Sequence, residues 1–390
     1  MNNFIYDIKT KVYFGTDQLN NNIGKETKVY GNKVLLTYGG GSIKKSGLYQ
    51  KVIKDLEKEG LEIFELSGIK PNPRITSVRK GVELCKKENI DVLVAVGGGS
   101  VIDCTKVIAA GTYYDNDPWD IMLNKVDVKK ALPLITVLTL SATGTEMNAN
   151  EVITNLETND KIGMAFEPLR PKVSFLDPSS TFSVNKYQTA CGSADILNHI
   201  MEVYFNTDDG LYMLDTVMEG LMKTVIKYAP IAYNNPDNYE ARANLMWASS
   251  WAINGFVAGG KTHDWTCHPI EHELSAYYDI THGLGLAIIT PNWLEYTLDE
   301  STAYKFRQFG INVFNIDDSL SNMEIAKLSI KKLKKFFFED LELTDNLTDL
   351  KIDDSKFDIM SKKACQNDKI KGFKTLYPED VKNILKMCEK

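Results

Sequence analysis

The chain has 390 residues, more than one hydrophobic core usually organises, so two domains are expected. Hydrophobic residues at 43% and charged residues at 25% fit a globular protein, not a disordered or fibrous one. A net charge of -7 with scattered Lys and Arg argues against a nucleic-acid partner, and no apolar run is long enough to span a bilayer.

The opening stretch MNNFIYDIKTKVYFG lacks a charged segment followed by an apolar core, so no signal peptide is read there. The six cysteines (Cys85, Cys104, Cys191, Cys267, Cys365, Cys388) are dispersed and form no CxxC pair. Reduced thiols and a cytoplasmic location are therefore expected.

Strand-like and helix-like segments alternate through the first half. Residues 33–38 form a β-rich run that ends in Gly39-Gly40-Gly41-Ser42, and a helix is expected over about 44–58. Residues 61–66 alternate with period two, as a half-buried strand does. A helix over 75–88, an apolar strand over 91–96, a second Gly97-Gly98-Gly99-Ser100 turn and a helix over 101–110 follow. Residues 132–138 read as a further strand. This order predicts βαβ units and a parallel sheet. From about Val184 onward strand signals nearly vanish. Segments 188–205, 211–229, 238–257 and 266–278 carry apolar residues at helical spacing, and 319–390 reads as Lys/Glu-rich, solvent-facing helices. The boundary falls near 180–187, giving an α/β domain over 1–184 and a helical domain over 185–390. No long internal repeat is present.

Several glycines between a strand and a helix suit a phosphate. Glycine permits close backbone approach, and the helix start offers unpaired N–H groups. Gly98, Gly99 and Ser100 are accordingly candidates for the pyrophosphate of a dinucleotide, although the motif is neither GxGxxG nor a Walker A sequence. The alternative is a tight βα turn without a ligand. At the first turn, Gly40 and Ser42 are candidate cofactor contacts, and a Rossmann-type NAD site usually sets an acidic residue against the ribose 2′-hydroxyl. The turn carries none, and Lys44 and Lys45 follow, which favours NADP(H). The alternative is that both lysines only face solvent.

All five histidines fall in the second half: His199, His263, His268, His272 and His282. Asp195 and His199 are spaced i, i+4 and so share a helix face; His268 and His272 repeat the spacing. His282 precedes Gly283, which suggests a turn or helix end. Imidazoles with one carboxylate suit Fe(II), Zn(II), Co(II) or Mn(II). Two other readings stay open at this point: structural histidines, and a metallohydrolase, since His268-Pro269-Ile270-Glu271-His272 is the reverse of HExxH.

The sequence resembles the iron-containing (group III) alcohol dehydrogenases, most closely their NADPH-dependent butanol dehydrogenases. The resemblance spans essentially the whole chain. It is carried by Tyr38–Lys45, Lys70-Pro71-Asn72-Pro73-Arg74, Val96–Asp103, Thr139–Glu146, Asp195-x3-His199 and His268-x3-His272-x9-His282. It implies a dinucleotide-binding α/β domain followed by an all-helical metal-binding domain, a dehydroquinate synthase-like architecture, in a homodimer. Asp195, His199, His268 and His282 match its metal-ligand positions, for iron or zinc. His272 matches a histidine near the nicotinamide and substrate that is not a ligand, and is the candidate proton relay. Gly98, Gly99 and Ser100 match the pyrophosphate turn, and Asn72, Asp103, Thr139, Thr143 and Lys161 match positions lining the cofactor. Asn150 falls where the family varies, so substrate preference is not carried over. The implied reaction interconverts aldehydes and primary alcohols such as butanal and butanol, with NADP(H). A polyol dehydrogenase on the same fold is the near alternative. Trp251, Phe256 and Trp265 are candidate walls for an alkyl chain.

Overall fold

A computed structural model describes residues 2–208, 210–262 and 264–389. The chain divides into two compact units. One comprises Asp7–Val184 and Pro236–Ser250; the other holds the chain up to Tyr6, Asn185–Asn235 and everything from Trp251 onward.

The first unit is built on a six-stranded sheet. Its strands are β1 (Lys11–Phe14), β2 (Lys33–Tyr38), β3 (Glu62–Leu66), β4 (Val92–Gly97), β5 (Leu134–Leu138) and β8 (Val173–Leu176), in the order β1-β8-β5-β4-β2-β3. Every pairing is parallel. A parallel sheet needs cover on both faces, and the side chains divide accordingly. Leu35, Leu93 and Ala95 join the core formed with helices Ile75–Glu88 and Gly99–Gly111. Val34, Leu36, Val92, Val94 and Val96 join the opposite core with helices Ile23–Lys28 and Leu48–Lys58. This double burial is why β4 is apolar at every position but its terminal glycine, and buried throughout. A separate antiparallel hairpin, β6 (Asn150–Asn155) and β7 (Asp160–Ala165), packs on helix Gly99–Gly111.

The helix expected over 44–58 is two pieces, Ser42–Lys45 and Leu48–Lys58. Gly47 separates them with φ +79°, a conformation that ends one helix and admits a new start.

The second unit is helical. Helix Lys186–Tyr204 is buried at every residue from Thr189 on and packs against helices Tyr212–Asn234 and His282–Thr297. Asn185 caps it by accepting the Gln188 N–H at 2.8 Å. An aromatic cluster closes the core beside its C-terminus, with Phe205 within 5.0–6.1 Å of the Trp293, Phe306, Phe309 and Phe373 rings. Among the described residues no helix is long and apolar enough to cross a membrane, and all six cysteines are buried and unbridged.

Candidate metal centre and dinucleotide turn

Three helices of the second unit bring the histidines together. Lys186–Tyr204 carries Asp195 and His199 one turn apart. Cys267–Tyr278 begins one residue before His268. His282 is the first residue of His282–Thr297. The third can approach the first because of a glycine: a Cβ at Gly283 would lie 2.0 Å from the Cys191 carbonyl oxygen, so only glycine fits that crossing.

Three imidazole Nε2 atoms converge on one carboxylate oxygen. Asp195 Oδ1 stands 3.5 Å from His199, 3.8 Å from His268 and 3.6 Å from His282. The His199 and His268 rings stack at 4.7 Å, and Trp265 meets His268 edge-on at 4.8 Å. Asp195, His199 and His268 are buried. Burial opposes ionisation of Asp195, but the His199, His268 and His282 imidazoles outweigh it and hold the carboxyl far below the usual range. Burial pushes His199 down to about 4. Burial also works against a charged His268, yet Glu202 and Asp195 outweigh it and lift that ring to about 9.

Asp195 Oδ1 and His268 Nε2 are both buried and have no hydrogen-bond partner. Buried polar atoms left without a hydrogen bond carry a desolvation cost. A divalent cation at the convergence point removes that cost, and three nitrogens with one oxygen suit iron or zinc. Asp195, His199, His268 and His282 therefore fit a resident metal.

His272 lies beside this cluster. Its ring is 6.3 Å from His268 and 5.7 Å from His282, and one of its nitrogens shares a group within 4.8 Å with Glu271 and His282 atoms rather than with Asp195. Glu271 is fully buried and bound to His282 Nδ1 and Ser275, an arrangement that does not suit the general base of the metallohydrolase alternative. Trp251 and Phe256 meet edge to face at 5.5 Å. His263 lies outside the described residues.

The first unit gathers the candidate cofactor residues. Gly98 precedes helix Gly99–Gly111. The glycines there are also a packing requirement: a Cβ on Gly97 would lie 2.5 Å from Val101, and one on Gly99 would lie 2.5 Å from Thr143 Oγ1. Thr143 thereby lies directly against the turn, and Thr139 donates its N–H to the Gly97 carbonyl. Gly40 stands in open space, with no atom within 4 Å of where a Cβ would be, and Ser42 opens helix Ser42–Lys45. Lys44 is engaged: its ammonium sits over the Tyr38 and Tyr49 rings at 5.1 and 4.5 Å. Asn72, at φ +48°, is buried in the loop after β3, and Lys161 is buried on β7.

Asp103 has a bracing contact that sequence reasoning did not foresee. One carboxylate oxygen accepts from Thr145 Oγ1 at 2.6 Å and the other from the Val152 N–H at 3.1 Å. The wholly buried Lys106 completes the brace, donating to Thr145, to the Asn148 carbonyl and side chain, and to the Asn150 carbonyl at 2.6–3.0 Å. The 145–152 segment beside Thr143 is held from within.

Comparison with known proteins agrees with both units. Residues 9–178 match the family described as iron-containing alcohol dehydrogenase, and residues 189–388 match the C-terminal domain of the Fe-containing alcohol dehydrogenase family. NADH-dependent butanol dehydrogenase A of Clostridium acetobutylicum is 50% identical, over 99% of both chains. The NADPH-dependent aldehyde reductase YqhD of Escherichia coli is 36% identical, over 93% of both. The crystal structure of NADH-dependent butanol dehydrogenase A from Thermotoga maritima superposes with a TM-score of 0.95 at 40% identity, covering 100% of this chain and 99% of that one.

Proposed function

This chain belongs to the iron-containing alcohol dehydrogenase family and interconverts aldehydes and alcohols; on that premise we propose that it acts on short primary alcohols and aldehydes such as butanol and butanal, with NADP(H) and a ferrous ion. The observation that carries the reading is the convergence of three imidazoles, two of them buried and that of His282 half-buried, on the buried Asp195 Oδ1. The overall reaction is aldehyde + NADPH + H⁺ ⇌ primary alcohol + NADP⁺.

Asp195, His199, His268 and His282 hold the metal, in the domain running from residue 185. When bound, it supplies Lewis-acid polarisation of the carbonyl, while the dinucleotide carries the hydride. The chain does the rest. Gly98, Gly99 and Ser100 receive the pyrophosphate at the start of helix Gly99–Gly111, in the domain over 1–184. Asn72, Asp103, Thr139, Thr143 and Lys161 line the cofactor, and the Lys106 brace keeps the 145–152 segment in place. His272 exchanges the proton of the alcohol oxygen through a ring nitrogen, as an imidazole can near neutral pH. Trp265, beside His199 and His268, walls the alkyl chain.

The preference for NADP(H) is supported by the open Gly40 position and the lack of a carboxylate on its turn. NADH is the second reading. It is favoured by the names of two 50% identical relatives, both NADH-dependent, and by the cation–π engagement of Lys44. Zinc is the second reading for the metal, since the donor set suits it equally. A cytoplasmic homodimer completes the proposal, its dimeric state checked by light scattering.

The deciding experiment is an aldehyde panel with NADPH and NADH, run on protein reconstituted with iron or with zinc. Butanal should be reduced with the higher kcat/KM for NADPH in the iron form. Equal or better use of NADH overturns the NADP(H) proposal. A preference for 1,3-propanediol or glycerol in the reverse direction overturns the simple-alcohol proposal.

A further inference from the structure

Two buried carboxylates outside the four-residue cluster each reach across to a histidine from a different helix. Glu202, on helix Lys186–Tyr204, meets Nδ1 of His268 on helix Cys267–Tyr278. Glu271, on Cys267–Tyr278, meets Nδ1 of His282 on helix His282–Thr297. Each carboxylate is itself held. The second oxygen of Glu202 accepts the backbone N–H groups of Thr266 and Cys267, the latter at 2.7 Å, at the start of the helix that carries His268. Glu271 takes the Ser275 hydroxyl on its other oxygen. Its side chain lies against Gly285, where a Cβ would stand 2.7 Å from Glu271 Cγ. Glu202 and Glu271 are 3% and 0% exposed, so water does not compete for these bonds. By contrast, His199 Nδ1 is buried without a partner.

We propose that Glu202 and Glu271 are positioning residues for the metal: they accept hydrogen bonds from the Nδ1–H groups of His268 and His282, fix both ring orientations, and so present two Nε2 lone pairs beside Asp195. The inference rests on the metal reading above. An imidazole has one proton to place when neutral, and a carboxylate at Nδ1 decides that it sits there and not on the ligating nitrogen. The negative charge also makes the ring a stronger donor. Because each link joins two helices, the chain Glu202–His268 and Glu271–His282 ties the three ligand-bearing helices into one frame. Only Asp195 and His199 are left to be positioned by their shared helix.

The test uses the full chain, stripped and reloaded with cobalt(II), with metal affinity read by chelator competition and site geometry by the visible cobalt bands. Glu271→Gln keeps an acceptor but loses the charge. It should bind cobalt ten- to a hundredfold more weakly with shifted bands, while NADPH binding, followed by fluorescence, stays at the parental value. Glu271→Ala should lose more, and Ser275→Ala less. Glu202→Gln should match Glu271→Gln. If it fails to fold because Glu202 also caps the neighbouring helix, Glu271→Gln and Ser275→Ala carry the test. Parental cobalt affinity and unshifted bands in Glu271→Gln and Ser275→Ala would overturn the inference while leaving the metal site intact. A parent protein that binds no cobalt, with no change on His282→Ala, would instead overturn the metal reading beneath it.

Discussion

Gly283→Ala is expected to loosen the metal centre without altering any ligand. The added Cβ would lie 2.0 Å from the Cys191 oxygen, 2.6 Å from its carbonyl carbon and 2.9 Å from its Cα. A carbon–oxygen contact of this kind rests near 3.3 Å, so the crossing is short by about 1.3 Å. All three atoms are backbone, and no rotamer change relieves them. Helices Lys186–Tyr204 and His282–Thr297 must therefore move apart at a crossing that lies one turn from Asp195 and next to His282. Overpacking of this kind costs about 1–3 kcal/mol. Metal–ligand distances tolerate only about 0.2 Å, so a shift near 1 Å should weaken metal binding by about ten- to a hundredfold, the scale seen when the groups that orient a ligand are disturbed. Chelator competition on the reconstituted protein measures it, and a lower melting temperature accompanies it. Gly220→Ala is the control. Gly220 lies within helix Tyr212–Asn234 with nothing within 4 Å of its would-be Cβ. That change should be neutral or stabilise by about 0.5–1 kcal/mol. Parental metal affinity in Gly283→Ala would refute the close-crossing account.

Three further outcomes are expected. His272→Ala keeps its metal, by elemental analysis, but turns over more slowly, with an altered pH profile of kcat; loss of metal would show that His272 is a ligand. Gly40→Asp, at a position open enough to accept the side chain, raises the KM for NADPH more than that for NADH; equal changes would remove this turn from the 2′-phosphate site. Glu151 has both carboxylate oxygens buried without a partner, and burial pushes it up to about 8. The folded protein therefore holds a proton there that the unfolded chain releases near pH 4.5, so this group's stabilising effect fades as pH rises from about 4.5 to 8. The melting temperature of the parent should fall relative to Glu151→Gln across that range, and parallel curves would contradict it.

What was legible in the sequence depended on how each segment is buried. Strands β2, β4 and β5 sit between two covered faces and read as apolar runs. β1 is a four-residue edge strand with no buried position, and β8 is only Val-Ser-Phe-Leu, with Ser174 bonded to Thr136. Neither stands out from a loop. Helix His282–Thr297 has no polar face: Gly283 through Leu294 are all buried, so no 3.6-residue period marks it. Residues 236–250 have ordinary helical periodicity, which carries no sign that they pack with the sheet unit. At the site, the i, i+4 pairing of Asp195 with His199 placed both on one face, but the matching pair His268 and His272 diverges, because only His268 turns toward Asp195. Glu202 could have been found, since it continues the Asp195–His199 face at i+7. Glu271 could not, since its partner His282 lies on the next helix. Lys106 was hidden as one lysine within an apolar helix, although an unpaired charge there signals a buried polar brace.

The most direct measurement compares parent and His268→Ala for metal content, dinucleotide binding and butanal reduction. The parent should hold one metal ion per chain and reduce butanal in proportion to metal loading. His268→Ala should lose both the metal and the activity while binding NADPH as the parent does. A metal-free His268→Ala protein with full activity would contradict the metal-centred account.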